Sequence, residues 1–271
     1  VCNKGSYVEI LAQGSPAALM AFHDDLEGKA PERSAILKVV TTTEERPPYE
    51  DFSIVESARE KGDIFVSPDI AICDACKAEL FDKTNRRYLH PFINCTACGP
   101  RLTILDAMPY DRERTSMGEF PMCPQCEYEY THAETRRYDA QPVCCNDCGP
   151  EVYLLDRPER RRQAIIAARQ ASIDGKIIAV KGIGGFHLCC DAGNEQAVQT
   201  LRQRKRRPVK PFAVMMKDLD AVRQQCIIPD GVENVLDGHQ KPIILLPKKG
   251  SQTLAPSIAP GNPSVGVMLP Y

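Results

Sequence analysis

The sequence contains no apolar run near the roughly 18 residues that a membrane-crossing helix requires, so such a helix is excluded. Its first residues show no basic, apolar, small-residue succession of the secretory kind. Charge of one sign is also scarce. The 34 Lys and Arg against 36 Asp and Glu leave −2, which exerts no global pull on nucleic acid and confines anion binding to local patches. Neither membrane nor nucleic acid is therefore expected as a partner. With 271 residues, 43% hydrophobic and 26% charged, the chain can hold about two ordinary domains with cores of their own.

Cysteine, by contrast, is plentiful. Thirteen could form a disulfide scaffold in a secreted protein or bind metal as thiolates in a reducing compartment. Their arrangement favours the second. Eight fall in CxxC pairs, whereas Cys2, Cys144, Cys189, Cys190 and Cys226 follow no matching framework, and a cytoplasmic location is expected. Cys73-x2-Cys76, eighteen residues and Cys95-x2-Cys98 recur fifty positions later as Cys123-x2-Cys126, eighteen residues and Cys145-x2-Cys148. The repeat extends beyond sulfur: Arg86-Arg87-Tyr88 matches Arg136-Arg137-Tyr138, Glu79 matches Glu129, and Gly99-Pro100 matches Gly149-Pro150. Two intervening residues allow a tight turn to aim both sulfurs at one ion, and two such turns complete a tetrahedral thiolate shell, the preference of zinc. Two structural Zn2+ ions are expected, with no open position for catalysis. One ion per repeat is the simpler pairing, and an interleaved pairing of outer and inner CxxC turns stays open. His90 and His132 are alternative ligands, and Cys144 creates a one-residue ambiguity beside Cys145.

Ahead of the repeats, residues 1–60 read as part of a small α+β domain. Apolar alternation runs from Tyr7 to Leu11, and Ser15-Pro16 opens a helix that Gly28 ends. Strands are predicted at Ile36–Thr43 and Phe52–Val55, with Arg46-Pro47-Pro48 between them. Residues 64–155 have weak periodicity, as expected where metal fixes the chain. From 158 to 271 the pattern becomes α/β. Helices are expected at 160–174, 194–206 and 218–226, and strands at Ile177–Lys181, Phe186–Cys190, Phe212–Met216, Ile243–Leu246 and Val265–Leu269. The glycine loop of Lys181-Gly182-Ile183-Gly184-Gly185-Phe186 follows a strand but leads into a second strand, so it fails the Walker and dinucleotide fingerprints. It is a hairpin turn or an anion cradle. Arg202–Lys210 holds six basic residues in nine, which is either a solvated face or, with the lysine-glycine turn, a polyphosphate site.

Longer motifs carry a resemblance. YLHPFINCTACGPRLTILDAMPYDRERTSM, AQPVCC, KGIGGFHLCCDA, LRQRKRRPVKPFAVM and VGVMLP are similar to segments of the hydrogenase maturation carbamoyltransferase family, HypF. The resemblance covers nearly the whole chain. It implies an α+β multidomain protein, with the end of a ferredoxin-like acylphosphatase domain at 1–60, a tandem four-cysteine zinc-finger domain at 64–155, and the first part of an α/β YrdC-like nucleotide-binding domain at 158–271. It implies a carbamoyltransferase that takes carbamoyl phosphate and ATP with Mg2+, forms carbamoyl-AMP, and carbamoylates the C-terminal cysteine of HypE toward a cyanide ligand. Asn3 matches the acylphosphatase asparagine that would orient a water. Lys205 and Arg207 match the K-x-R-P element that would hold nucleotide phosphates, and Lys181 and Lys210 are further phosphate candidates. Assembly as a dimer is compatible with the sequence.

Two other readings are a zinc-stabilised interaction or chaperone-like module and a threonylcarbamoyl-AMP synthase-like protein. The first lacks its CxxCxGxG boxes, and the second accounts for neither the fingers nor KGIGGFHL. The family's VQGVGFRP loop, which would supply the acyl-phosphate arginine, is also absent from these 271 residues. The chain is accordingly expected to be an internal fragment that binds zinc and is catalytically inert. A phosphate-release assay with carbamoyl phosphate should give the rate of buffer alone, and turnover above it would refute that expectation.

Overall fold

The computed structural model describes residues 1–4, 7–30, 33–34, 36–55, 66–182, 184–250 and 253–271. The expected domain limits at 60 and 64 lie outside the described residues, as does Ile183 of the glycine loop. The chain divides into two compact units, Val1–Pro68 with Ile104–Glu119, and Asp69–Thr103 with Phe120–Tyr271.

In the first unit, β1 (Cys2–Asn3) pairs antiparallel with β2 (Val8–Glu9), and α1 (Pro16–Gly28) follows. Ser15 is extended and its Oγ accepts from the Ala18 amide at 3.3 Å, so the helix begins as Ser-Pro requires. The predicted strand Ile36–Thr43 does not form. Its β-branched residues have the propensity, but no strand among the described residues lies alongside to take their backbone hydrogen bonds, and Leu37 is 92% exposed. Phe52–Val55 is reduced to one parallel bridge, Cys2 to Val55.

The second unit opens with two short helices that periodicity did not predict, α2 (Asp74–Phe81) and α3 (Pro124–Thr131). Then come α4 (Arg161–Ile173), the antiparallel hairpin of β3 (Ile178–Lys181) and β4 (Phe186–Cys189), and α5 (Glu195–Lys205). The remainder is β5 (Ala213–Met215), α6 (Leu219–Gln225), α7 (Val232–Leu236), β6 (Ile244–Pro247) and β7 (Ser264–Met268). β7 is central in a three-stranded sheet, parallel to β5 and antiparallel to β6. Val265, Gly266 and Val267 are all buried, as befits a strand covered on both faces. Against it pack Val198, Val214, Val222, Leu236, Leu246 and Cys226, which gives that cysteine a role in the core. Side chains cap the helices: Asn194 Oδ1 accepts from Ala197 N at 3.0 Å and Asp218 Oδ1 from Ala221 N at 2.8 Å, each contributing about 1 kcal/mol. The five-residue α7 is too short to have a readable period. Among the described residues no helix is long and apolar enough to cross a membrane. The mixed α and β, multidomain class expected from the sequence holds.

The basic run has a buried organiser. Arg202, 7% exposed, donates from Nε to Ser257 O at 2.5 Å, from Nη2 to Ile258 O at 3.1 Å, and from Nη1 to the carbonyls of Arg207, Pro208 and Lys210 at 2.8, 3.2 and 3.2 Å. Its guanidinium also lies 4.6 Å from the Phe212 ring centroid. One side chain thus ties α5 to the turn after it and to the 3-10 turn Pro256–Ile258. An Arg202→Leu substitution would leave several carbonyls without a donor and should cost roughly 2–4 kcal/mol. Urea denaturation of both chains would measure that loss, and equal midpoints would refute the role.

Candidate metal centres and the basic turn

The sulfurs gather within each repeat. The Sγ atoms of Cys73, Cys76, Cys95 and Cys98 lie within 4.8 Å of one another, and so do those of Cys123, Cys126, Cys145 and Cys148. Local structure delivers them. Cys73 precedes α2 in extended conformation and its Sγ accepts from the Cys76 amide at 3.4 Å, so the CxxC turn is also the start of a helix. Pro124, at the first helical position of α3, fixes the equivalent turn. In the opposite turns, Gly99 adopts φ +105°, and a Cβ on it would lie 2.6 Å from Asn94 Cβ. At the matching Gly149 a Cβ would meet Cys144 Cβ at 2.7 Å.

These distances test the fit to an ion. A tetrahedron whose vertices lie about 2.3 Å from its centre has edges of about 3.8 Å. Cys73–Cys95 and Cys95–Cys98 measure 3.7 and 3.8 Å, and Cys123–Cys145 and Cys145–Cys148 measure 3.9 and 3.7 Å. Both quartets therefore fit structural zinc. Hydrogen bonds with Cys95 and Cys98 hold the Cys76 thiol far above the ordinary range, while those from Cys76 and Cys98 hold Cys95 far below it. Four sulfurs this close ionise together only around a cation.

The grouping follows the simpler pairing and uses Cys145 rather than Cys144. His90 and His132 stand outside both quartets. His90 is buried, with Nδ1 3.1 Å from Asn146 Oδ1 and Nε2 3.2 Å from Cys144 Sγ, and burial lowers its pKa to about 4. His132 stacks on Tyr128 at 3.7 Å.

What the sulfur pattern did not disclose is an exchange of arginines. Arg86 Nη2, from the first repeat, donates to Cys123 and Cys145 Sγ of the second at 2.9 Å each and to Cys126 Sγ at 3.5 Å. Arg87 is 2% exposed; it donates to Cys126 Sγ at 3.3 Å, to Cys144 O at 2.8 Å and to both oxygens of Glu129. The second repeat reciprocates. Arg136 reaches Cys76 Sγ at 3.8 Å and Glu79 Oε1 at 2.6 Å, while Arg137 reaches Asn94 O at 3.0 Å, Cys76 Sγ at 4.0 Å and Glu79 Oε2. Burial opposes ionisation of Glu79, but Arg137 and Arg136 outweigh it and hold the carboxyl below the usual range; Arg87 does the same for Glu129. The signal was present in the sequence, since the arginine pair and the glutamate recur at the cysteine offset.

The phosphate candidates divide. Lys205 ends α5, and Arg206 follows in the left-handed conformation at φ +49°. This turns the chain sharply, leaving Lys205 and Lys210 exposed. Arg207 is committed in part to the fold, donating from Nε to Lys210 O at 3.1 Å and from Nη2 to Pro211 O at 2.6 Å, with its guanidinium 5.0 Å from the Phe212 centroid. Lys181 is on a different element, at the end of β3, with Nζ 5.1 Å from the Phe186 centroid. The glycine loop is a hairpin turn closed by Gly182 N to Gly185 O at 2.7 Å. Asn3 lies in β1, and its side chain is outside what the structure describes.

Comparison with known proteins converges on one family. The model described as the HypF finger matches residues 72–105 and 122–155, and the one described as Telomere recombination, of the Sua5, YciO and YrdC group, matches 170–271. Carbamoyltransferase HypF of Synechocystis sp. is 53% identical over 231 residues, covering 82% of this chain and 30% of the relative. Carbamoyltransferase HypF2 of Cupriavidus necator is 47% identical across 100% of this chain and 34% of its own length. Among solved structures, full-length HypF in its phosphate- and nucleotide-bound form superposes with a TM-score of 0.85 at 44% identity, over 95% of this chain and 34% of that one. HypF of T. kodakarensis gives 0.86 at 44% identity, over 100% and 35%. The chain thus spans about a third of the length of the relatives it matches. From the paired fingers through the α/β sheet, it belongs to the HypF family.

Proposed function

We propose that this chain serves a carbamoyltransferase of [NiFe]-hydrogenase maturation, in which carbamoyl phosphate and ATP yield carbamoyl-AMP and the carbamoyl group passes to the C-terminal cysteine of a HypE-type partner in the cytoplasm. The observation that carries this reading is 47% identity to a carbamoyltransferase across the full chain, together with both thiol quartets. In this reading Cys73, Cys76, Cys95 and Cys98 hold one zinc ion, and Cys123, Cys126, Cys145 and Cys148 the other. The ions are structural, because four thiolates leave no position for water.

The division of the basic turn supports a nucleotide role for the 158–271 region. Arg202 and most of Arg207 shape the backbone, and the ammonium groups of Lys205 and Lys210 stand free of the core to meet the phosphates of an Mg2+-bound nucleotide. Lys181 would add a charge from the hairpin. Asn3, in the 1–60 region, would orient the water that attacks carbamoyl phosphate, alongside an arginine from elsewhere in the family's layout.

The reading is tested by grafting residues 66–271 into Cupriavidus necator HypF2 in place of its own equivalent. The chimera should carry two zinc ions and release pyrophosphate from ATP only with carbamoyl phosphate. Lys205→Ala with Lys210→Ala should weaken ATP binding about tenfold or more at unchanged zinc content. A zinc-replete chimera without that pyrophosphate release would refute the activity, and unchanged ATP affinity in the variant would refute the lysine assignment.

A further inference from the structure

The arginine exchange has a consequence for metal binding, and it rests on the zinc assignment proposed above. Arg86 and Arg87 lie in the segment between Cys76 and Cys95, both ends of which are fixed by the first quartet. The segment is braced on its own repeat, with Leu89 N donating to Leu80 O at 2.9 Å and His90 N to Arg87 O at 2.9 Å. Leu89 turns the chain at φ +53°, and Asp139 does so in the second repeat at φ +52°, where Asp139 N donates to Tyr130 O at 2.9 Å. Each arginine pair is thus positioned by one quartet and directs most of its donors to the other repeat, with Arg137 Nη1 also 3.5 Å from Glu129 Oε1 of its own.

Charge makes that placement consequential. A zinc ion with four thiolates carries −2, and the two guanidinium groups beside it, which they share with Glu129 in the second finger and Glu79 in the first, offset part of that charge. We infer that the two metal centres are thermodynamically coupled: loading one finger seats the arginine pair that raises the zinc affinity of its twin, and the reverse holds by linkage. The geometry further ranks the pairs. Arg86 approaches the second quartet at 2.9 Å, whereas the first quartet is approached by Arg136 at 3.8 Å and Arg137 at 4.0 Å. The second finger therefore depends more on its borrowed arginines.

Competition with a zinc chelator, combined with pulse alkylation and mass mapping of each cysteine, tests this on the 271-residue chain. In the wild type, both sets of four thiols should become reactive at one chelator concentration. In R86Q/R87Q, Cys123, Cys126, Cys145 and Cys148 should become reactive first, at a chelator concentration lower by about tenfold. R136Q/R137Q should expose the first quartet first, by a smaller factor. Backbone contacts alone would leave both variants releasing in one step, and that outcome would overturn the inference. So would two independent release steps in the wild type, which decides the matter if a variant fails to fold, or a variant that unmasks its own finger first. Fewer than two zinc ions on the untreated wild type would instead overturn the ligand assignment.

Discussion

Both fingers depend on sulfur quartets held together against their own repulsion. The apolar residues around each are few. Among the described residues, Cys76, Cys95 and Cys98 share their fully buried cluster with Ile93, flanked by the partly buried Ile70, Ile72, Leu80 and Ala97, and Cys126 and Cys145 share theirs with Ala140 and Val143, flanked by Met122 and Tyr130. Clusters of that size do not offset the conformational entropy of the finger segments. Zinc, at roughly 10 kcal/mol or more per structural site, does. The eight-residue helices α2 and α3 are likewise too short to persist alone in water, and they exist because their first turns present cysteine to a shared centre.

That dependence explains what the sequence disclosed and what it withheld. Cysteine spacing located the quartets because ligand geometry is local and stringent. The α/β elements after residue 158 were legible because apolar spacing and caps are local signals: α4, α5 and α6 and strands β3 to β7 fall within a few residues of where these placed them, although Ile165, Ile166 and Ile173 of α4 and the residues of β4 are exposed rather than buried. Ile36–Thr43 misled because propensity is only permission, and a strand also requires a neighbour. α2 and α3 stayed hidden because their apolar pattern answers to metal, not to a core face. Matched offsets could show that Arg86 and Glu129 belong to a repeated set, but not whether arginine and carboxylate meet within one copy or across two.

The basic turn shows the same limit at a different site. Six cations in nine residues look interchangeable in sequence, yet Arg202 is buried against five carbonyls, Arg207 is half engaged, and Lys205 and Lys210 face solvent. Guanidinium suits the first task because its fork satisfies several carbonyls at once, and ammonium suits the second because it is a mobile point charge. The HypF-finger match to both repeats accounts for the zinc modules that a synthase without fingers left unexplained, and it assigns them to a finger type other than the CxxCxGxG boxes of chaperone-like modules.

The duplication has kept its bonds while changing the side chains that make them. Thr96 Oγ1 donates to the carbonyls of Arg136 and Tyr138, and its counterpart Asn146 donates through Nδ2 to those of Arg86 and Tyr88. Asn94 Nδ2 donates to Pro142 O at 2.8 Å, and Cys144, in the matching place, directs its thiol to Phe92 O at 3.7 Å. Arg87 Nε reaches the carbonyl of Cys144 just as Arg137 Nε reaches that of Asn94. The divergence is lopsided at one point: His90 stands opposite the offset of Ala140, and the imidazole lies between Asn146 and Cys144. Cys144 is therefore no spare ligand. Its sulfur occupies the place where the first finger has an amide, and one residue of register separates that packing role from metal binding at Cys145.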